Sequence, residues 1–196
     1  MTLQDFILEL NKTAFKLEDL SEELQEEAED YISIFFPNKK ESISKSNDLI
    51  LQFIDEYDSA FNLISHISFN NEVIEDDNYI HFGWSREDLL VIDKASGEII
   101  AIDYAVYGRK TFVCAASSEQ FMKAFLIGGI HSIDKEFKSD NERIEYLVKK
   151  AKFAADIAGG AEYLRYWNSL NDTNIFFDEF GNQIPEPPSN SRNLLN

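Results

Sequence analysis

Cysteine is almost missing from this sequence, which excludes two ways of stabilising a small fold. Cys114 is the only cysteine among 196 residues, so the chain has neither an internal disulfide nor the paired thiolates of a cysteine zinc site. It lies within the apolar run TFVCAAS, and this setting predicts a small buried side chain on a strand.

Long apolar runs are also lacking. No stretch approaches the roughly 18 residues that a membrane-spanning helix requires, and residues 1–15 are amphipathic and acidic, without the basic start of a secretory leader. We therefore expect a soluble, cytoplasmic protein without membrane insertion. Its 44% hydrophobic and 13% aromatic content is sufficient for a sizeable core in one domain.

Basic residues are also few in comparison with acidic residues. The chain has 18 of them against 36 acidic residues, a net charge of -18. A nucleic-acid backbone would repel such a chain, so direct binding to DNA or RNA is not expected. Residues 1–80 carry 19 acidic and 5 basic side chains, and residues 17–30 carry eight acids and no base. Most of the charge therefore lies in the first two fifths of the chain.

Apolar spacing predicts three helices in residues 1–66. The first helix begins after Thr2, which is its predicted cap. The second helix carries the acids of residues 17–30 on its outer face and ends at Pro37, and the third helix covers 50–64. The polar stretch 38–47 indicates a loop between the last two. These helices form an acidic amino-terminal part.

From Ile67 the apolar period changes to that of a sheet. A short run ISF precedes a turn-like NNEVIEDDN, and four strands are predicted after it. Gly97 and Gly108 lie in short connections, which favours antiparallel hairpins and hence a meander. The predicted strands cover 79–84, 88–93, 98–104 and 111–116.

Three more helices are predicted after the sheet. Ser117 with Gln120, and Ser139 with Glu142, match the capping box that begins a helix, and a short aromatic helix follows at 161–170. The tail GNQIPEPPSNSRNLLN holds three of the four prolines without a periodic pattern, so we expect it to be extended or mobile. We predict one domain at 1–184, made of an acidic helical part (1–66), a strand meander with a capped helix (67–127) and carboxy-terminal helices (128–184), followed by a flexible tail at 185–196.

No residue pattern predicts an enzyme. Asp93 and Asp103 are candidates for an acid and base pair, but aspartate at a strand end commonly binds turn amides, and this structural role is favoured. Ser117 matches a helix cap rather than a nucleophile motif. The glycine pairs Gly128-Gly129 and Gly159-Gly160 follow predicted helices, whereas the glycines of a phosphate-binding loop precede a helix. No metal-ligand spacing relates the histidines His66, His81 and His131. We expect no catalytic residue, metal or cofactor.

Two acidic stretches are candidates for binding. The acids of the second predicted helix have no lysine at i+4 to offset their repulsion, so a solvated surface and a surface that steers a basic partner are both open interpretations. The acids at 75–77 lack the alternating spacing of an EF-hand loop, which favours a solvated turn over a cation site.

The stretch YIHFGWSREDLLVIDKASGEIIAIDY, followed by TFVCAASSEQFMKAFL, has a recognisable order. Phe82-Gly83 ends a strand, Glu87-Asp88 opens the next, and Asp93, Gly97, Ser117 and Phe121 follow at strand and helix boundaries. This order resembles the SUKH superfamily, which includes a yeast cell-wall-assembly regulator and the bacterial Syd protein. The resemblance covers about 48 of 196 residues.

The resemblance implies an α+β fold, in which a curved, mainly antiparallel sheet of about four to six strands is packed by amino- and carboxy-terminal helices. It also implies a non-enzymatic role. Many bacterial members are regarded as immunity proteins of polymorphic toxin systems, which bind and block a toxin domain, often a nuclease or deaminase. On this hypothesis the partner is a cognate toxin with a basic domain.

The hypothesis names three groups of contact residues. Trp84 and Arg86, if exposed beside the sheet, would supply anchoring side chains. The first-choice contacts are the acids Glu22, Glu23, Glu26, Glu27 and Asp30, and the second-choice contacts are Glu75, Asp76 and Asp77.

Two alternatives to the immunity hypothesis stay open. One is a regulatory scaffold that docks onto a cellular protein, and the other is a hydrolase that uses Asp93 and Asp103.

Overall fold

The fold is given by a computed structural model, which describes residues 1–13, 38–58, 66–129, 139–170, 176–177 and 183–184. It contains a π-helical turn (Phe125–Gly129) and a 3-10 turn (Ala161–Tyr163). In the described ranges the α-helices are α1 (Leu3–Thr13), α2 (Leu49–Glu56), α3 (Ser118–Ala124), α4 (Asp140–Ala158) and α5 (Leu164–Ser169). The strands are β1 (Ile67–Glu75), β2 (Tyr79–Ser85), β3 (Asp88–Asp93), β4 (Ile99–Asp103), β5 (Lys110–Ala115), β6 (Phe176–Phe177) and β7 (Gln183–Ile184).

Strands β1 to β5 form one sheet, in which each strand pairs antiparallel with its neighbours in sequence. The α+β class and the antiparallel meander are therefore confirmed. Strand β3 has the predicted bounds, and β2, β4 and β5 differ from the prediction by at most one residue at either end. Short connections explain this order, because a chain that reverses within a few residues pairs with the strand it has just left.

Two glycines permit the connections on either side of β4. Gly97 has a φ of 78° and Gly108 a φ of 86°, conformations that residues with a Cβ rarely adopt. In the first connection the Gly97 amide donates to the Asp93 carbonyl at 2.7 Å, and the Asp93 carboxylate accepts from the Ala95 amide at 2.9 Å. The predicted turn roles of Gly97, Gly108 and Asp93 are confirmed.

The turn predicted at NNEVIEDDN is wrong over most of its length, because β1 continues through Glu75. β1 lies at the edge of the sheet, where exposed polar side chains such as that of Glu72 are tolerated. Its register with β2 shifts between Phe69 and Ile74. Such a bulge interrupts the alternation by which a strand is recognised in sequence.

Helices α3, α4 and α5 pack on one face of the sheet and enclose the main core. Phe121 of α3 lies between Phe82 of β2 and Trp167 of α5, with ring centroids 5.6 and 5.8 Å away. The Trp167 indole donates to the Cys114 carbonyl at 3.0 Å, so this buried ring keeps its polar group satisfied. Cys114 is itself buried, as predicted, and burial raises the pKa of its thiol.

The amino-terminal helices cover the β1 side of the same core. Phe6 of α1 contacts Phe53 of α2 and Phe125, at ring-centroid distances of 5.6 and 6.4 Å. Phe53 in turn contacts Phe69 of β1 at 5.1 Å. These aromatic contacts join the amino-terminal part to the sheet in one apolar cluster.

The helix predicted at 50–64 is too long. α2 ends at Glu56, and Tyr57 takes an extended conformation with φ -128° and ψ 143°. Tyr57 forms a β-bridge with Lys39, while its ring stacks on Phe53 at 5.9 Å. The Tyr57 ring therefore continues the apolar spacing of α2, although Tyr57 itself lies outside the helix. Residues 59–64 lie outside the described ranges.

Three helices begin at their predicted caps. The hydroxyls of Thr2, Ser117 and Ser139 accept from the amides three residues later, at 3.1, 3.3 and 3.2 Å, and so satisfy amides that a first helical turn leaves without a partner. The second predicted helix and the tail at 185–196 lie outside the described residues. Among the described helices, none combines the length and apolar content required to cross a membrane.

The opposite face of the sheet carries a smaller apolar cluster. Val91, Ile100 and Ile102 are fully buried there. The register places His81 opposite Val91 and Val91 opposite Ile100, so the His81 side chain lies on this second face. The partly buried side chains around the cluster are Tyr79, Leu89 and Val113.

Replacement of Gly83 by alanine should destabilise the fold. A Cβ at Gly83 would overlap the backbone carbonyl oxygen of Ser68 in β1, and the strands can separate only by losing ladder hydrogen bonds. We expect Gly83→Ala to lower the free energy of unfolding by about 2–3 kcal/mol in urea denaturation. Gly97→Ala is the matched control, with open space around it and a positive φ that costs about 1 kcal/mol. Equal losses in both variants would contradict the strand contact.

Candidate functional site

The β2–β3 connection places Trp84 and Arg86 at one end of the sheet. Arg86 has a positive φ of 55°, which is uncommon outside glycine, and its amide donates to the His66 carbonyl at 2.8 Å. Its guanidinium donates to the Ser169 carbonyl at the end of α5, at 3.0 Å. The exposed Arg86 side chain is therefore anchored to the body of the fold.

Asp103 organises the β4–β5 connection, residues 104–109. Its carboxylate accepts from the amides of Ala105 and Val106 at 2.7 and 3.0 Å and forms an ion pair with Arg109. These contacts hold the pKa of Asp103 below its usual value, and the Val106 amide contributes most. Asp103 therefore has the structural role that the sequence favours.

The two candidate catalytic aspartates do not meet. Asp93 pairs with Tyr79 at one end of β3, whereas Asp103 pairs with Asp88 at the other. The five residue steps between these ends correspond to about 16 Å along the strand. This separation leaves no shared position at which Asp93 and Asp103 can act on one substrate atom.

Asp76, His81 and Tyr107 form a hydrogen-bonded cluster that ties the β4–β5 connection to the second face of the sheet. Asp76 Oδ2 lies 2.8 Å from His81 Nε2. The Tyr107 hydroxyl donates to the same carboxylate and lies 3.0 Å from His81 Nε2. The Tyr107 ring also stacks on the imidazole, with centroids 5.9 Å and planes 16° apart. Asp76 Oδ1 accepts from the Asn78 and Tyr79 amides, both at 2.8 Å.

The cluster shifts the pKa of two of its members. Hydrogen bonds from Tyr107 and then from His81 hold the pKa of Asp76 far below its usual value. The pKa of Tyr107 rises to about 12, first because its hydroxyl is partly shielded from water and then because it donates to a carboxylate. At neutral pH both groups keep the protonation state that preserves their hydrogen bond. The cluster therefore fixes the connection in place.

An open cleft of about 530 Å³ lies between the β2–β3 and β4–β5 connections. Trp84 and Tyr104 form its aromatic part, with ring centroids 5.3 Å apart, and Glu87, Asp88 and Asp103 contribute carboxylates. Asp88 is partly buried, and its loss of contact with water raises its pKa. The cleft thus combines two aromatic rings with three carboxylates and one arginine, Arg86.

Three large side chains of the β4–β5 connection face solvent. Tyr104, Val106 and Tyr107 expose 67%, 52% and 56% of their surface. With the partly buried Trp84 beside Tyr104, they form a surface that we call the loop surface. Exposed apolar side chains grouped in this way are typical of protein-binding sites.

The predicted site residues have different surroundings. Trp84 and Arg86 both line the cleft. The turn acids point in different directions, since Asp76 binds His81 and Tyr107, Glu75 pairs with Lys94 and Asp77 is exposed. The use of these acids as contacts stays a prediction. The first-choice acids Glu22, Glu23, Glu26, Glu27 and Asp30 lie outside the described residues.

Tyr104, Val106 and Tyr107 were not predicted as site residues. A signal is present in DYAVYG, because three large side chains lie between a strand end and a turn glycine, where small polar residues are usual. The contact between His81 and Tyr107 joins residues 26 positions apart. No local pattern in the sequence indicates it.

Within the described ranges, no group of three or more His, Cys, Asp or Glu side chains has the geometry to hold a metal ion.

Comparison of the chain with protein-family models, curated proteins and solved structures finds no significant match. The resemblance to the SUKH superfamily therefore stays a prediction.

Asp76→Asn should remove a pH-dependent part of the stability. Because the folded-state pKa of Asp76 is lowered from 3.8, its carboxylate stabilises the fold above that pH, and the contribution disappears as the pH falls through the folded-state value. The unsubstituted chain should be more stable than Asp76→Asn at neutral pH. The difference in the free energy of unfolding should shrink below about pH 4, as urea denaturation between pH 7 and pH 2 would show.

Asp77→Asn is the control for this experiment. It removes the same charge from the adjacent exposed residue, outside the contacts of His81 and Tyr107. A pH dependence in Asp77→Asn equal to that in Asp76→Asn would contradict a specific contribution of the cluster.

Proposed function

We propose that the protein is a non-enzymatic inhibitor that binds and blocks a cognate toxin domain of a bacterial polymorphic toxin system, and thus acts as an immunity protein. The observation that carries the proposal is the loop surface, in which Tyr104, Val106 and Tyr107 of the β4–β5 connection are grouped with Trp84 of β2. The resemblance of residues 79–126 to the SUKH superfamily supports this choice of partner.

The loop surface has two properties of a tight interface. Tryptophan and tyrosine are among the residues that contribute most to binding energy when a partner covers them. The contacts of Asp103 with its loop amides and of Tyr107 with Asp76 and His81 fix the connection before a partner arrives. A fixed surface loses less conformational entropy on association, so more of the contact energy contributes to affinity.

Charge favours a basic partner. A chain with a net charge of -18 attracts a basic protein over a distance, which can raise the association rate by roughly 10 to 10³-fold at low salt. A nuclease or deaminase domain needs basic side chains where it holds nucleic acid. An acidic inhibitor is therefore directed to the surface that it must cover.

A regulatory scaffold for a cellular protein is the second candidate. The loop surface favours it as well, because exposed aromatic residues bind protein partners of many kinds. The identity of the partner distinguishes the two functions, so the first experiment is an affinity capture of the tagged protein from its native cells at low and at high salt.

The expected result of the capture is a large secreted protein with a basic toxin domain, held less strongly as salt rises. The purified toxin domain should then lose activity on addition of an equimolar amount of this protein. Recovery of resident cytoplasmic proteins alone would contradict the immunity function and favour the scaffold. A recovered toxin that stays active in the complex would contradict inhibition.

Tyr104→Ala should weaken binding to the captured partner by about tenfold or more, chiefly through faster dissociation. The tyrosine is 67% exposed, so its removal should leave the stability of the fold nearly unchanged. Phe153→Ala is the matched control, because Phe153 is an exposed aromatic residue on α4, 56% accessible and outside the loop surface. Surface plasmon resonance would measure the dissociation rate and affinity of both variants. Equal weakening by Tyr104→Ala and Phe153→Ala would contradict a specific role of the loop surface.

Replacement of Glu22, Glu23 and Glu26 together by lysine should slow association by roughly tenfold at low salt. The dissociation rate should change little, because steering acts before the partners are in contact. Stopped-flow association kinetics at several salt concentrations provide the measurement. Association rates equal to those of the unsubstituted chain would exclude these acids as the steering surface.

A further inference from the structure

We propose that the cleft between Trp84 and Tyr104 binds an arginine side chain of the partner protein. This inference rests on the proposed function and gives the chemistry of one central contact. It concerns the described cleft at the end of the sheet, and it is independent of the acids at 22–30.

The aromatic part of the cleft suits a planar cation. The Trp84 and Tyr104 rings are inclined by 54°, with centroids 5.3 Å apart, so they present their faces at an angle instead of covering each other. A guanidinium group over such a face is attracted by the electron density of the ring. The same chain contains this geometry elsewhere, since Arg165 lies 5.2 Å from the centre of the Phe112 ring.

The carboxylates of the cleft supply the complementary charge. Glu87, Asp88 and Asp103 line it, and burial together with repulsion from Asp103 and Glu87 disfavours the charged form of Asp88. A cation that enters the cleft would offset this repulsion. Two arginines lie near these carboxylates. Arg86 also lines the cleft, but its guanidinium donates to the Ser169 carbonyl. Arg109 pairs with Asp103, which leaves Glu87 and Asp88 as the cleft carboxylates without an ion pair in the described part of the chain.

Arginine fits this combination better than lysine does. Its guanidinium is planar, stacks on aromatic rings and donates several hydrogen bonds in one plane, so one group can contact a ring and a carboxylate together. Lysine offers a compact charge without a face to stack.

The source of the arginine follows from the surroundings of the cleft. Val106 and Tyr107 lie on the same connection and remain more than half exposed. A small guanidinium ligand would fill the cleft and leave these side chains in water. A protein that presents arginine would also cover them, which adds the burial of apolar surface to the ionic contact.

The two tryptophans provide the test, because Trp84 lines the cleft whereas Trp167 is fully buried in the core. The full chain, labelled with nitrogen-15, is titrated at low salt with the tripeptide Ala-Arg-Ala, blocked at both ends. The matched citrulline and lysine tripeptides are titrated in the same way. Trp84→Phe assigns the two indole signals.

The arginine peptide should shift the Trp84 indole signal to saturation and leave the Trp167 signal unchanged. The citrulline peptide, which has nearly the same shape without the charge, should give no saturable shift. Equal shifts with citrulline would overturn the ionic part of the proposal, and equal affinity for the lysine peptide would overturn its choice of arginine. An unchanged Trp84 signal would overturn the cleft as the binding site.

Charge-removing variants locate the contact. Glu87→Gln and Asp103→Asn should each raise the dissociation constant of the arginine peptide about threefold, the range of a partly exposed ion pair. Asparagine at 103 keeps an oxygen for the Ala105 and Val106 amides but loses the ion pair with Arg109, so Glu87→Gln is the variant that leaves the connection unchanged. Glu145→Gln is the control, because it removes one exposed carboxylate from α4. Equal weakening by Glu145→Gln would assign the binding to net charge alone and overturn the proposal.

This test and the partner capture can fail separately. If the captured partner is a cellular protein and the Trp84 indole responds to arginine, the immunity function fails and the arginine site stands. If a toxin is captured but Glu87→Gln and Asp103→Asn bind it as tightly as the unsubstituted chain, the arginine site fails. The immunity function then stands without it.

Discussion

Antiparallel pairing of five short strands is the constraint on which the rest of the structure depends. Because side chains alternate along each strand, the meander directs Phe82 and Leu90 to the core with α3, α4 and α5, and His81 and Trp84 to the opposite face. The same pairing brings the β2–β3 and β4–β5 connections to one end of the sheet, since Asp88 lies opposite Asp103. The cleft exists because these two connections are neighbours.

Features encoded by adjacent residues were predictable from sequence. The cap at Ser117, the glycine turn at Gly97 and the strand β3 each depend on a few consecutive residues, whose backbone preferences act locally. The edge strand β1 was only partly predicted, because its bulge breaks the alternating pattern and its exposed position tolerates polar side chains. The early end of α2 has a similar cause, since Tyr57 keeps an apolar position without helical backbone.

The candidate site was the least predictable part, because its contacts join distant residues. Trp84 was predicted as an anchoring side chain from its chemistry alone, but its partner Tyr104 follows from strand register. The cluster of Asp76, His81 and Tyr107 combines a turn, a strand and a loop. Each of its residues has an ordinary local explanation, and only the fold places the three side chains together.

Under the proposed function, charge and aromatic contact would have separable effects on binding. The acidic excess is greatest in the first 80 residues, and its attraction extends over about a Debye length, roughly 8 Å at physiological salt. The loop surface acts only on contact, because apolar burial and ring stacking need touching atoms. Under the proposed function, charge would govern mainly how fast the partners meet, whereas Trp84 and Tyr104 would govern how long they stay together. In that case an acidic chain with a few aromatic residues at one end of its sheet would combine rapid capture of its partner with slow release.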